Sequence, residues 1–119
     1  MSNEILESDW KLLWEVQPVA LGRFCDRVLA EVGRMAAASP KTGHARYLEV
    51  IALLKARDRE LAIAFDDMRR STAFRQLVSI RSLGLLTEEE FTRFSPELRG
   101  AVESLCGRGH EQNRTAGDP

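Results

Sequence analysis

The chain has 119 residues, enough for one domain with a single core. Lys and Arg total 17 against 18 Asp and Glu, so the formal charge is −1 and no global field draws the chain to nucleic acid or anionic lipid. With 44% hydrophobic residues, 29% charged residues and four prolines, the composition is that of a folded protein, and no apolar run approaches the ~20 residues of a spanning helix.

Residues 1–7 are acidic and lack the basic start and apolar stretch of a signal peptide. They read as a short tail, and a cytoplasmic location is expected. The two cysteines, Cys25 and Cys106, suit a reducing compartment. Both are expected to be inert, with Cys25 beside Phe24 on an apolar stripe as a small hydrophobe.

The first helix is predicted to start at Ser8 as N-cap, with Asp9 near the positive end of the helix dipole. Pro18 lies inside it and removes one hydrogen bond. The apolar stripe nevertheless keeps its phase across Pro18, from Trp10, Leu13 and Trp14 to Leu21, Phe24, Val28 and Val32, which predicts a kinked but continuous helix. It should end between Ala36 and Ser39, before the turn chemistry of Ser39-Pro40-Lys41-Thr42-Gly43.

Two matched heptad ladders dominate the pattern. Trp14, Leu21, Val28 and Met35 recur every seven residues, interleaved with Trp10, Gln17 and Phe24. Tyr47, Leu54, Leu61 and Met68 repeat the rhythm, interleaved with Ile51, Asp58, Phe65 and Thr72. A strict seven-residue repeat keeps one seam facing a partner helix. Equal ladders joined by a short connection predict a long antiparallel helical hairpin, with Asp58 opposite Phe24.

The second helix is predicted to start near Thr42 to His44 and to run as far as Leu83. From Ala73 onward the apolar residues Phe74, Leu77, Val78 and Ile80 shift to another face, so the helix either bends at Arg69-Arg70-Ser71-Thr72 or turns a new face outward. Gly84 fits the left-handed position after a helix end. Thr87 with Glu90 forms a capping box, and Ser95-Pro96-Glu97 starts another helix, with its stripe Leu98, Ala101, Val102 and Leu105 ending at Gly107. Residues 108–119 are polar and without periodicity, and they read as a flexible tail. The domain is thus expected over residues 8–107.

The stripe on the first helix is broader than one partner helix can cover. The short C-terminal helices or a second copy must cover the rest, and a homodimer forming a four-helix-type bundle is the simplest arrangement. Asp58, a carboxylate at a seam position, is either solvated at the edge or paired with Arg27 of the first helix or Arg69 of a second copy.

No catalytic constellation is present. The chain has no glycine-rich phosphate loop, no G-x-S-x-G elbow and no H-E-x-x-H, and neither His44 nor His110 follows a glutamate at the spacing of di-iron bundles. The expectation is a non-enzymatic protein with no cofactor and no metal site. An enzyme or small-ligand sensor would need a cavity between helices, which Trp10 and Trp14 could line. The densest charged run supplies Arg57, Asp58, Arg59, Asp66, Asp67, Arg69 and Arg70 as a candidate interaction surface, with Asp66 and Arg70 spaced to pair. Arg59, Arg70 and Arg81 fall in one line along a straight helix, in a segment (44–83) holding eight Lys/Arg and five Asp/Glu. Such a stripe can contact phosphates, so a nucleic-acid-binding regulator is the second reading.

The run Arg57-Asp-Arg-Glu-Leu-Ala-Ile-Ala-Phe-Asp-Asp-Met-Arg-Arg-Ser-Thr-Ala73, with Gly84-Leu-Leu-Thr-Glu-Glu-Glu-Phe91, resembles a group of small bacterial all-helical proteins of unassigned function. The second of these segments also resembles the end of the SHOCT module, where a Leu-rich helix breaks at Gly-Leu-Ile-Thr-Glu-Glu-Glu-Phe. That resemblance implies oligomerisation and, in some members, nucleic-acid contact. Together these observations predict an all-α interaction or regulatory protein, a likeness to no enzyme, and self-association through heptad seams, with a further protein partner allowed for.

Overall fold

A computed structural model describes the backbone of residues 5–117 and the side chains of residues 5–106. Five helices follow one another: α1 (Glu7–Ala36), α2 (Gly43–Phe65), α3 (Arg70–Ser82), α4 (Glu88–Thr92) and α5 (Pro96–Gly117). Among the described residues there is no strand. The fold is all-α, as the periodicity predicts.

Helix α1 begins at Glu7, one residue before its predicted cap. Leu6 occupies the cap position without a side-chain bond, and Ser8 lies inside the helix. Arg70 of α3 ties this end to the neighbouring helix without capping its N–H groups, donating to the Ile5 carbonyl at 2.7 Å and to Glu7 at 2.6 Å. The helix runs unbroken through Pro18. Pro18 is exposed, so water can reach the carbonyl that its missing N–H leaves without a donor.

The long second helix is instead two helices. Asp66 leaves α2 in an extended conformation and Asp67 takes a left-handed φ of 58°, which aspartate tolerates better than most residues. The Thr72 hydroxyl accepts from the Arg69 N–H at 2.9 Å, and the buried Gln76 amide donates to the Asp66 carbonyl. The shift of apolar face after Met68 therefore marks a new helix. At the end of α3, Gly84 has φ 69°, the Leu85 N–H donates to the Ile80 carbonyl and the Gly84 N–H to the Arg81 carbonyl. This pair of bonds is the Schellman ending that glycine permits.

The predicted starts of α4 and α5 hold. Thr87 Oγ1 accepts from the Glu90 N–H at 3.1 Å while Glu90 accepts from the Thr87 N–H at 2.9 Å. Ser95 precedes Pro96, and its Oγ accepts from the Leu98 N–H at 3.3 Å. Helix α5 continues past Gly107, where the sequence places its end, because an interior glycine weakens a helix by about 1 kcal/mol without forbidding it. Side chains 107–117 and residues 118–119, to which most of the expected flexible tail belongs, lie outside the description.

The core gathers at one end of the hairpin. Leu13, Val16, Ala20, Phe24 and Val28 of α1 pack with Ala64 and Phe65 of α2, Leu77 and Ile80 of α3, Phe91 of α4, and Phe94, Leu98 and Val102 around α5. Arg81 lies 4.1 Å above the Phe91 ring centre and bonds Glu88 and Glu103. Beyond this base the far halves of α1 and α2 continue as a two-helix arm. The radius of gyration is 16.8 Å, against about 13–14 Å for a compact chain of this length.

Candidate interaction surface

The hairpin does not close on both predicted ladders. On α1 the ladder faces inward at Phe24 and Val28, but Trp14 is exposed. On α2 the buried residues are Leu53, Ala64 and the predicted ladder residue Phe65, whereas the rungs Tyr47 and Leu54 are 62% and 40% exposed. The packed face of α2 is 46/50/53/57/64, about 100° round the helix from the predicted seam. Phe24 meets Phe65, with ring centres 6.2 Å apart, one heptad beyond the expected Asp58. Two physical causes act together. Turning the ladder inward would bury the Asp58 carboxylate, which is costly without a partner. The observed rotation instead brings Arg57 onto Glu31 of α1, with bonds of 3.0 and 3.1 Å, while Glu60, one turn on in α2, also accepts from Arg57 at 2.9 Å. The Arg57 bonds hold the Glu31 carboxyl below its ordinary range.

The seven charged residues singled out in the sequence are not brought together. Arg57 staples α2 to α1, while Asp58 and Arg59 are exposed on α2. Asp66 and Asp67 lie in the break before α3, where Asp67 pairs with Arg69 at 2.8 Å. Arg70 pairs with Glu7 rather than Asp66. Arg69 is thus held in a turn, off the α2 face on which it was expected to meet Asp58 of a second copy. Arg27, the other candidate partner, donates to the Leu83 and Gly84 carbonyls at 2.6 Å each. One turn earlier, Arg23 donates to the Leu85 carbonyl at 2.8 Å and grips Glu90 at 2.7 and 3.0 Å. These contacts fix the base of the arm against the α3–α4 turn.

The arginine line also dissolves. Arg59 is on α2, Arg70 opens α3 against Glu7, and Arg81 is engaged by Phe91, Glu88 and Glu103. A straight helix was the premise of that line, and the break at Asp66–Arg69 removes it. Among the described residues no group of three or more His, Cys, Asp or Glu is arranged to hold a metal. An open groove of about 480 Å³ lies between α2, α3 and α5, lined in part by Ile63, Phe74, Val78 and Leu105. Trp10 and Trp14 are not among its walls; they stack edge to face, 5.7 Å apart, on α1.

Apolar side chains stay exposed along the arm, Tyr47, Leu54 and Leu29 on one side of it and Leu48 and Ile63 off that side. Tyr47 and Leu54, with the half-buried Ile51 and Leu61, form a line about 100° from the packed face of α2, and Trp14, Cys25 and Leu29, with the half-buried Leu21 and Val32, form one about 60–140° from Phe24 on α1. Because the helices run in opposite directions, both lines fall on the same side of the hairpin. Leu29 is 65% exposed, and Cys25 is exposed rather than packed beside Phe24. Lys55, Asp58 and Arg59 border this side and make no ion pair among the described residues. Sequence reasoning missed Leu29, which lies off the α1 ladder, and Lys55, although its position three residues before Asp58 was visible. No helix of the described residues is long and apolar enough to cross a membrane. No protein family, curated protein or solved structure matches the chain.

Proposed function

We propose that this chain is a non-enzymatic helical interaction protein that self-associates through the uncovered apolar side of the α1–α2 arm. The observation that carries the reading is the exposure of Tyr47, Leu54 and Leu29 on one side of a hairpin whose other seam is already filled. A heptad repeat is useful only where a partner helix follows it, and α1 follows a different face of α2. Large apolar side chains each contribute about 1.5–3 kcal/mol when fully buried, so a second copy covering this side would gain a driving force that the lone chain forgoes. Contiguous exposed apolar patches on soluble proteins mark association sites. The resemblance to SHOCT-type oligomerising segments points the same way.

Light scattering across a concentration series tests the proposal. The wild type should move from monomer to dimer, and L54E should raise the dimer dissociation constant at least about tenfold, since it sets a charge into a buried apolar site. Helical circular dichroism of L54E should stay unchanged, because Leu54 is outside the core. A wild type that remains monomeric up to millimolar concentration refutes self-association.

A further inference from the structure

We infer that the two copies meet with their α2 helices antiparallel about a two-fold axis near Lys55–Asp58, each Lys55 pairing with Asp58 of the other copy. This rests on the self-association reading and adds its geometry. A two-fold contact brings each surface against itself, so the patch must complement itself. Lys55 and Asp58 are opposite charges three residues apart, Asp58 on the ladder and Lys55 beside it, both exposed, and neither is paired within the chain among the described residues. Reversing one α2 over another about their midpoint sets Lys55 beside Asp58 twice. In the same register Ile51 faces Leu61 and Leu54 lies beside Asp58 of the other copy, which closes the apolar rungs around the two ion pairs.

The first helix supports this axis independently. Glu31 of α1 bonds Arg57 of α2, so the level of the proposed axis on α2 corresponds to the stretch of α1 around Leu29 and Val32. Val32 then meets its own counterpart where the axis crosses α1, and Leu29, 65% exposed, lies about one turn away, level with Met35 of the other copy. The competing pairing, α1 of one copy over α2 of the other, keeps each Lys55 at its own height and gives it no Asp58. A polar residue within an apolar seam commonly selects register and orientation, and Asp58 would do so here.

Charge exchange between copies decides the matter. Alone, K55E and D58K should each weaken self-association about tenfold, because both symmetric pairs become like-charged. Mixed in equal amounts, K55E and D58K should form a heterodimer with affinity near that of the wild type, since every facing pair is again opposite. Both substitutions are at exposed positions, and unchanged thermal melts at low concentration would show that folding is intact. If the wild type dimerises but either variant does so equally well, or the mixture recovers nothing, the antiparallel α2 register is wrong while self-association stands. A wild type without dimer removes both.

Discussion

Replacing Asp9 by alanine should lower the unfolding free energy by about 3 kcal/mol, measured by denaturant unfolding. Asp9 is only 3% exposed, although it lies in the first turn of a helix, where carboxylates are ordinarily solvated. Its two oxygens accept from the Ser95 N–H at 2.9 Å and the Ser95 hydroxyl at 2.6 Å. Hydrogen bonds to a charged group contribute about 1.5–3 kcal/mol each, and buried donors left without an acceptor cost about 1–3 kcal/mol. The alanine variant loses both bonds and strands the Ser95 N–H at the start of α5. Asp9→Asn keeps an acceptor and should lose about half as much. Ser95→Ala combined with Asp9→Ala should be strongly non-additive, because both remove one junction. A loss under about 0.5 kcal/mol in the alanine variant would mean that Asp9 does not hold α5 to α1.

Glu90→Gln should cost about 2 kcal/mol at neutral pH, with a pH dependence that identifies its cause. The Arg23 guanidinium, gripping Glu90 through two hydrogen bonds, and then the Thr87 N–H together lower its carboxyl from 4.5 to about 2 against the opposing effect of burial. A carboxyl with a lowered folded value adds stability that is complete above 4.5 and is lost as the pH falls from there through about 2. The wild-type advantage over E90Q should accordingly be flat above pH 5 or so and close across that acid window. Arg23 is partly exposed, so added salt should trim the advantage modestly. A difference that stays constant down to pH 2 would assign the loss to shape rather than charge.

Local chemistry in this chain is legible one element at a time. Thr87 with Glu90, Ser95 with Pro96, and Gly84 each act within a few residues, and each is found in the conformation its neighbours dictate. Long-range partners are a different matter. Asp9 reads as a dipole partner of its own helix, yet its bonds go to Ser95, 86 residues away. Arg27 reads as an answer to Asp58, yet it serves the carbonyls of the α3 ending. The ladder on α2 identifies a stripe without saying what covers it. The stripe that packs on α1, with Leu53 and Arg57, carries too few apolar residues to stand out, because an ion pair with Glu31 takes the place of one rung. The change of face places a bend at Arg69-Arg70-Ser71-Thr72, whereas the chain stops its helix earlier, at Asp66–Asp67; nothing in the spacing chooses between a bend and a stop.

The arm's departure from the base also sets how the molecule breathes. Local opening needs the least free energy where few apolar contacts must separate, and beyond Val28 the α2 side of the arm buries little besides Leu53. Its backbone amides between Val32 and Leu54 should therefore trade hydrogen for deuterium well before those of Leu13 or Leu77, which only wholesale unfolding releases. Protection of the arm that rises with protein concentration, while that of the base does not, would tie this uneven rigidity to assembly.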